Sequence, residues 1–445
     1  MGTVVPDDAE GPGGGSTRTL VVLSLLAALG GVAIGFVGGA FRWCLERADD
    51  LRAGLVAVSH SLGSAGIVVP VVATALCAAL AALVVRAVPL AAGSGIQHVE
   101  AVSRGEADAP PLRVLPAKFI GGVLAIGSGL VLGREGPTVH MGAVIGGETA
   151  RRAGRTDAEV RLLQTSLAGA GLAVAFNAPI GGALFVFEEV TKSFRPRHVL
   201  PTLIGVAVAV GCSRLIVGGE PDFAVPAVAT PAFALLPVFI VFGVVTGLLG
   251  VLYNRAVIGA LDLVGAFAKV PREAKAAVIG GVIGLALFLD PLAAGDGDAL
   301  SQLVLDGGGA GFALPAIVLL LLVRFALGPL SYAAGTPGGL FAPLLALGAL
   351  WGLLFASVTA WVLPGEPLGV ELALVGMTAF FGATVRAPFT GIVIVIEMTA
   401  ITSVTLPMLA ATGCAVLVAT LLRSAPVYDT LRERMLAAAA APPPC

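Results

Sequence analysis

Runs of roughly 20 apolar residues recur from one end of this chain to the other. A helix of about that length crosses the hydrocarbon core of a bilayer. The chain therefore reads as an all-α polytopic membrane protein. Composition agrees: 57% of the 445 residues are hydrophobic and 12% are charged, against about 25% charged in an ordinary soluble domain. The formal net charge of -2 says little about such a protein, and no basic patch points to nucleic acid.

The apolar segments differ in character along the chain. Longer spans are expected at about 20–44, 67–88, 199–217, 232–253, 274–289, 314–333 and 342–362. Gly31, Gly35 and Gly39 form a small-residue stripe for close packing on the first of them. Glu46 to Arg52 reads as a charged connection after it. Segments 119–132, 137–149, 162–174 and 179–190 are short and broken by Gly and Pro, as are 370–384, 388–400 and 404–422. Several cannot cross a membrane alone, but half-helices are tolerated at depth when they are buried in protein or line a cavity. Tyr428 opens a last short helix. Residues 1–18 and 437–445 read as disordered tails around a membrane domain over 19–436, with no soluble regulatory domain after it.

Arg151, Arg152, Arg155 and Arg161 form one basic connection, Lys192, Arg195 and Arg197 a second, and Arg255, Lys269, Arg272 and Lys275 a third. The stretches 217–231, 289–303 and 362–371 hold acids without Lys or Arg. The positive-inside rule places the first group in the cytoplasm and the second outside, and both termini are expected to be cytoplasmic.

The chain also repeats itself. Gly133 and Pro137 are four apart, with Gly142-Ala143 five beyond the proline; Gly339, Pro343 and Gly348-Ala349 repeat that spacing. Ala178-Pro179, Gly182 and Glu188 recur as Ala387-Pro388, Gly391 and Glu397. The prolines are separated by 206 residues in the first pair and 209 in the second, giving repeats over about 19–219 and 230–436. Paired broken segments in two halves point to a transporter's central site. If the halves are inverted, helix N-termini near Glu135 and near Leu340-Phe341 meet at the midplane. Their positive dipole ends make an anion site.

Gly133-Arg134-Glu135-Gly136-Pro137 is the centre of this reading. Pro137 suits a helix's first turn, the glycines allow close backbone approach, and an intramembrane carboxylate is functional by default. N–H donors favour its ionised form while burial favours the neutral acid. Glu135 and an external anion would compete for one place.

With Gly93-Ser94-Gly95-Ile96, Gly133 to Pro137 and Gly339-Leu340-Phe341-Ala342-Pro343 in that order, the chain resembles the chloride channel and chloride/proton exchanger (CLC) family over essentially 19–436. The surroundings match too: Leu115 to Phe119, Ala175 to Pro179, Glu188-Glu189, Arg386-Ala387-Pro388 and Tyr428. The resemblance implies a homodimer in the cell's inner membrane, each subunit an inverted-repeat bundle of tilted and broken helices with its own anion pathway. It implies that Ser94, Tyr428 and the N–H groups of Leu340, Phe341 and Gly136 bind a dehydrated chloride. Glu135 would be the gate and outer proton carrier, and Glu189 the inner proton acceptor of exchangers. Ser94, where some relatives carry proline, implies chloride over nitrate. Gln97 stands where the family usually has proline, which leaves the serine in place and is expected to loosen its loop.

Each residue has a plainer alternative. Glu189 could be a solvated charge beside Lys192, Ser94 an N-cap, and Tyr428 an interfacial aromatic. Glu188 and Glu397 read as structural. Arg134 and Lys118 have two open readings: raising the potential for anions, or pairing with acids such as Glu100. Cys44, Cys77, Cys212, Cys414 and Cys445 lie far apart and read as small hydrophobes. His60, His98, His140 and His198 are scattered without ligand spacing, so no metal and no cofactor is expected. The expected activity is electrogenic chloride/proton antiport. The alternatives are a passive chloride channel of the same fold and a fluoride/proton exchanger, the latter disfavoured by the Gly-Ser-Gly run and Tyr428. An intramembrane enzyme lacks its motifs: no Gly-x-Ser-x-Gly, His-Glu-x-x-His or phosphate-binding Gly-Lys loop occurs.

Overall fold

The computed structural model describes residues 17–307, 312–362 and 368–440. Both expected tails lie mostly outside the described residues, as does the middle of the acidic stretch 362–371. In chain order the first half runs α1 (Thr17–Ser61), α2 (Val68–Ala87), α3 (Ile96–Ser103), α4 (Val114–Gly127), α5 (Glu135–Arg152), α6 (Asp157–Phe176), α7 (Pro179–Phe185) and α8 (Pro196–Val217). The second runs α9 (Leu236–Ala266), α10 (Arg272–Leu289), α11 (Asp298–Gly307), α12 (Leu314–Ala333), α13 (Phe341–Val362), α14 (Gly369–Val385), α15 (Pro388–Thr399) and α16 (Thr405–Leu421), and α17 (Val427–Ala440) follows.

The halves correspond in order. α1 packs along α8 as α9 packs along α16, and α5 lies on α6 as α13 lies on α14. Contacts of α2 with α10 and of α7 with α15 join the two halves. The result is an inverted-repeat bundle of tilted and broken helices, without a β-strand among the described residues. Small residues allow the packing: a Cβ added at Gly31 would lie 2.7 Å from the Gly205 carbonyl oxygen of α8. Between α13 and α14, Gly348 and Gly376 each face the other's carbonyl closely enough that a Cβ on either would collide.

Two boundaries differ from expectation. The first span does not stop at Cys44: α1 continues through the charged stretch to Ser61 and is 45 residues long. No proline interrupts it there, and ion pairs one turn apart, Arg47–Asp50 at 3.1 Å and Arg52–Asp49 at 2.5 Å, support a helix outside the apolar core. At the other end α17 runs through Ala440, so 437–440 are its last turn, four alanines in a row, and alanine is the strongest helix former.

Among the described residues, six helices are long and apolar enough to cross a membrane. The remaining helices are shorter or less apolar. α5 and α13 begin deep in the protein, and the residues from Glu135 through Gly147 and from Phe341 through Leu350 are buried. α7 lasts seven residues before the chain widens into a π turn over Val186–Val190, closed by the Thr191 N–H on the Val186 carbonyl at 2.8 Å. π turns of this kind gather at functional positions, and this one carries Glu188 and Glu189.

Candidate functional site: two helix starts and a carboxylate

The three glycine-bearing loops meet in one place. Gly133 and Gly339 exchange backbone hydrogen bonds, N–H to O=C at 2.8 and 2.9 Å, in a single antiparallel bridge. Gly93 donates to Thr336 at 3.2 Å and accepts from Gly338 at 3.1 Å. These bonds clamp the starts of α3, α5 and α13 together. Phe341 is fixed further by its ring, packed against Phe176 at 5.0 Å and Phe381 at 4.1 Å between centroids.

Glu135 opens α5, and its carboxylate reaches across to the start of α13. The Phe341 N–H donates to its Oε1 at 2.7 Å. The first N–H groups of a helix have no partner inside the helix, so the carboxylate occupies an anion-binding position. Glycine makes the room: a Cβ at Gly133 or Gly339 would collide with the Glu135 carboxylate.

Three buried oxygens around this point lack any partner: Glu135 Oε2, Ser94 Oγ and the Tyr428 hydroxyl. Ser94 packs on the first turn of α5, where a Cβ added at Gly136 would lie 2.8 Å from the Ser94 Cα. Tyr428 is fully buried at the start of α17 and senses the charges of Glu135, Glu189 and Glu100. Buried hydroxyls are normally satisfied. Two unsatisfied ones beside a helix start suit an anion that accepts hydrogen bonds.

Glu189 does not behave as a solvated charge. It is 2% exposed and lies beside Glu100 of α3, while Lys192 turns to Asp429 instead, at 3.3 Å. Glu100 faces Arg432 across 4.0 Å. Both oxygens of Glu100 and Oε1 of Glu189 are buried without a hydrogen-bond partner. Around them Arg104, Arg432 and Lys192 converge on Asp429.

Arg134 pairs with acids, though with others than Glu100, while Lys118 pairs with none among the described residues. Arg134 donates to Asp298 at 2.9 Å, to Asp222 at 3.0 Å and to the Ala175 carbonyl at 2.9 Å. Asp222 also pairs with Arg42 at 3.0 Å. Lys118 is fully buried and meets no acid: its Nζ donates to the carbonyls of Gly93, Ser94 and Ala92 at 2.6, 3.1 and 3.3 Å. Both residues brace the loops around Glu135 and place positive charge behind them.

Gln97 does not loosen its loop either. Its Oε1 accepts the Gly95 N–H at 3.2 Å, and its side chain lies near the Tyr332 hydroxyl over Gly93. The histidines are less scattered than their spacing suggests. His98 Nδ1 and His140 Nε2 lie 3.2 Å apart, though no group of three metal-ligating side chains forms among the described residues. Asp222, Asp298, Arg42 and Tyr332 escaped sequence reasoning; only the acids in the two stretches 217–231 and 289–303 left a trace, and they spoke for topology.

The sequence matches the family model described as "Voltage gated chloride channel" over residues 77–420. It is 37% identical to the H(+)/Cl(-) exchange transporter ClcA of Vibrio parahaemolyticus, covering 97% of this chain and 94% of the relative. Against the ClcA transporter of Vibrio cholerae it is 40% identical, covering 80% of this chain and 76% of that one. The structure superimposes on a slow cyanobacterial Cl-/H+ antiporter with a TM-score of 0.87 at 30% identity, over 95% of this chain and 99% of the other. A CLC-type fluoride/proton antiporter shares the fold, with a TM-score of 0.73 at 19% identity over 93% and 98% of the two chains. Broken helices, opposed helix starts and sequence together place the chain: it belongs to the voltage-gated chloride channel family.

Proposed function

We propose that the protein is an electrogenic antiporter that moves chloride one way and protons the other. The observation that carries this is the 2.7 Å bond from the Phe341 N–H to the Glu135 carboxylate. An ionised carboxylate in that position is a tethered anion holding the place of a mobile one. Protonation removes the charge that holds it to the helix start, and the neutral side chain swings out. Chloride then takes the N–H groups of Leu340, Phe341 and Gly136, and the unpartnered hydroxyls of Ser94 and Tyr428 complete its shell. Chloride stabilises the displaced gate, and the displaced gate stabilises chloride, which is coupling by differential binding.

On the inner side, Glu189 receives and releases the proton, with Glu100 beside it as the second carboxylate of the pair. Arg134 and Lys118 support the site by raising the local potential for anions while holding the loops. The activity is transport and not an enzymatic reaction. The same reading makes the protein a lipid-embedded homodimer of the inner membrane with both termini in the cytoplasm, supported by family membership and by the basic connections.

The test uses purified protein in liposomes with a chloride gradient and no proton gradient. Chloride flow is expected to drive protons uphill, and an uncoupler should collapse the resulting pH difference. Chloride flux with no proton movement would instead make the protein a passive channel.

A further inference from the structure

Gln97 and Tyr332 stand outside the chloride shell just described, yet both bear on Ser94. The backbone of Ser94 is held on both sides. It lies against the Tyr332 hydroxyl, and its carbonyl accepts from Lys118 Nζ at 3.1 Å. The next N–H, that of Gly95, goes to Gln97 Oε1 at 3.2 Å. Gly95 sits at φ +93, a left-handed turn that lets the chain reverse into α3. Only Ser94 Oγ is left without a partner. The loop is tied down at every polar group except the one that faces the anion.

Tyr332 lies in the last turn of α12, in the other half of the molecule. Its hydroxyl and Gln97 Nε2 converge over Gly93, where an added Cβ would find them at 3.1 and 3.5 Å. The hydroxyls of Tyr253 and Tyr428 have no partner, whereas that of Tyr332 lies beside both Gln97 and Ser94. Gln97 is the second residue of α3, a position whose N–H has no partner within the helix. Proline is accommodated there and stiffens the turn by fixing φ. Glutamine stiffens the same turn with its side chain instead, and needs a polar partner to do so.

We propose that Gln97 and Tyr332 form a latch between the two halves that sets the position of the Ser94 hydroxyl, and with it the affinity and anion preference of the central site. They are positioning residues, and the inference rests on Ser94 being a chloride ligand. Chloride binding to purified protein by titration calorimetry, and chloride against nitrate transport in liposomes, test it with Gln97→Ala, Tyr332→Phe, the double variant and Ser94→Ala.

Each single change is expected to weaken chloride binding and raise its KM about 5-fold, the loss of roughly one net hydrogen bond. Maximal turnover should stay within about 2-fold, because ground-state binding is what changes. Preference for chloride over nitrate should fall. The double variant should resemble either single one, since the two side chains act as one unit. Tyr332→Phe keeps the ring and its packing, so unchanged chloride affinity, KM and chloride-to-nitrate ratio in that variant overturn the latch. Fully multiplied effects in the double variant overturn it too. Ser94→Ala separates the two levels: unchanged chloride binding there overturns Ser94 as a ligand, while weakened binding beside neutral latch variants overturns the latch alone.

Discussion

Glu188 and Glu397 cap each other's half of the molecule. Glu188 accepts the N–H groups of Phe389 at 3.1 Å and Thr390 at 2.7 Å, at the start of α15. Glu397, nine residues beyond the proline that opens α15, accepts those of Ile180 at 3.0 Å and Gly181 at 2.8 Å, at the start of α7. Each glutamate satisfies N–H groups that a half-helix within the membrane leaves without partners. The exchange also pins α7 against α15, a contact between the halves.

This reciprocity yields a stability prediction. Glu397→Ala and Glu188→Ala should each cost about 1 kcal/mol, the usual worth of an N-terminal cap, and lower the unfolding temperature in detergent by a few degrees. Neither carboxylate touches the Glu135 site, so proton coupling in liposomes should persist in both. Loss of coupling with unchanged thermal stability would place them in the transport machinery instead.

Glu135→Gln removes the titration while keeping the shape of the side chain. Chloride flux should continue and proton movement should cease. The sign of the pH dependence follows from the same step. The wild type needs a protonated, displaced Glu135 in each cycle, so its chloride flux should fall as pH rises, whereas the glutamine variant should be nearly flat with pH. Paired chloride-electrode and pH-electrode recordings from the same liposomes measure both, and a steep pH dependence surviving in Glu135→Gln would defeat the gate.

Much of this was legible in the chain because helix starts and repeats write local signatures. Pro137 and Pro343 mark the first turns of α5 and α13, and the spacing of Pro179 to Glu188 and Pro388 to Glu397 gave away two equivalent half-helices. Pairings across long separations leave no such mark. Lys118 binds carbonyls 24 to 26 residues away, and Arg134 reaches acids 88 and 164 residues on. Gln97 looked like a defect because its partner, Tyr332, is invisible until α12 is folded beside the Ser94 loop. The charged end of α1 looked like a connection because polarity in a membrane protein suggests a loop, although a helix projecting past the apolar core is free to be polar.

Glu189→Val should uncouple protons from chloride at the other end of the pathway. Valine removes the carboxylate without demanding new hydrogen bonds in a site that is almost fully buried. Glu100→Gln tests the pairing. It leaves Glu189 with a neutral neighbour, so protons should still move but with an altered pH dependence. Chloride flux should survive in both variants. If Glu189→Val left the proton-to-chloride ratio intact in flux assays, the inner proton route would have to run elsewhere.

Asp222 is a buried carboxylate that serves two guanidinium groups. Its side chain is 4% exposed and pairs at 3.0 Å with both Arg42 and Arg134. Removing one partner of a buried ion pair leaves an uncompensated charge and costs about 3–5 kcal/mol. Asp222→Asn should therefore lower the unfolding temperature in detergent by far more than Arg47→Ala, whose ion pair is exposed and worth at most about 1 kcal/mol. Adding Arg42→Met to Asp222→Asn should restore part of the loss, since Arg134 keeps Asp298 whereas Arg42, which loses its carboxylate, is then gone and an apolar chain of similar length fills its place. Strict additivity of the two substitutions would mean that Asp222 does not join Arg42 to Arg134 in one network.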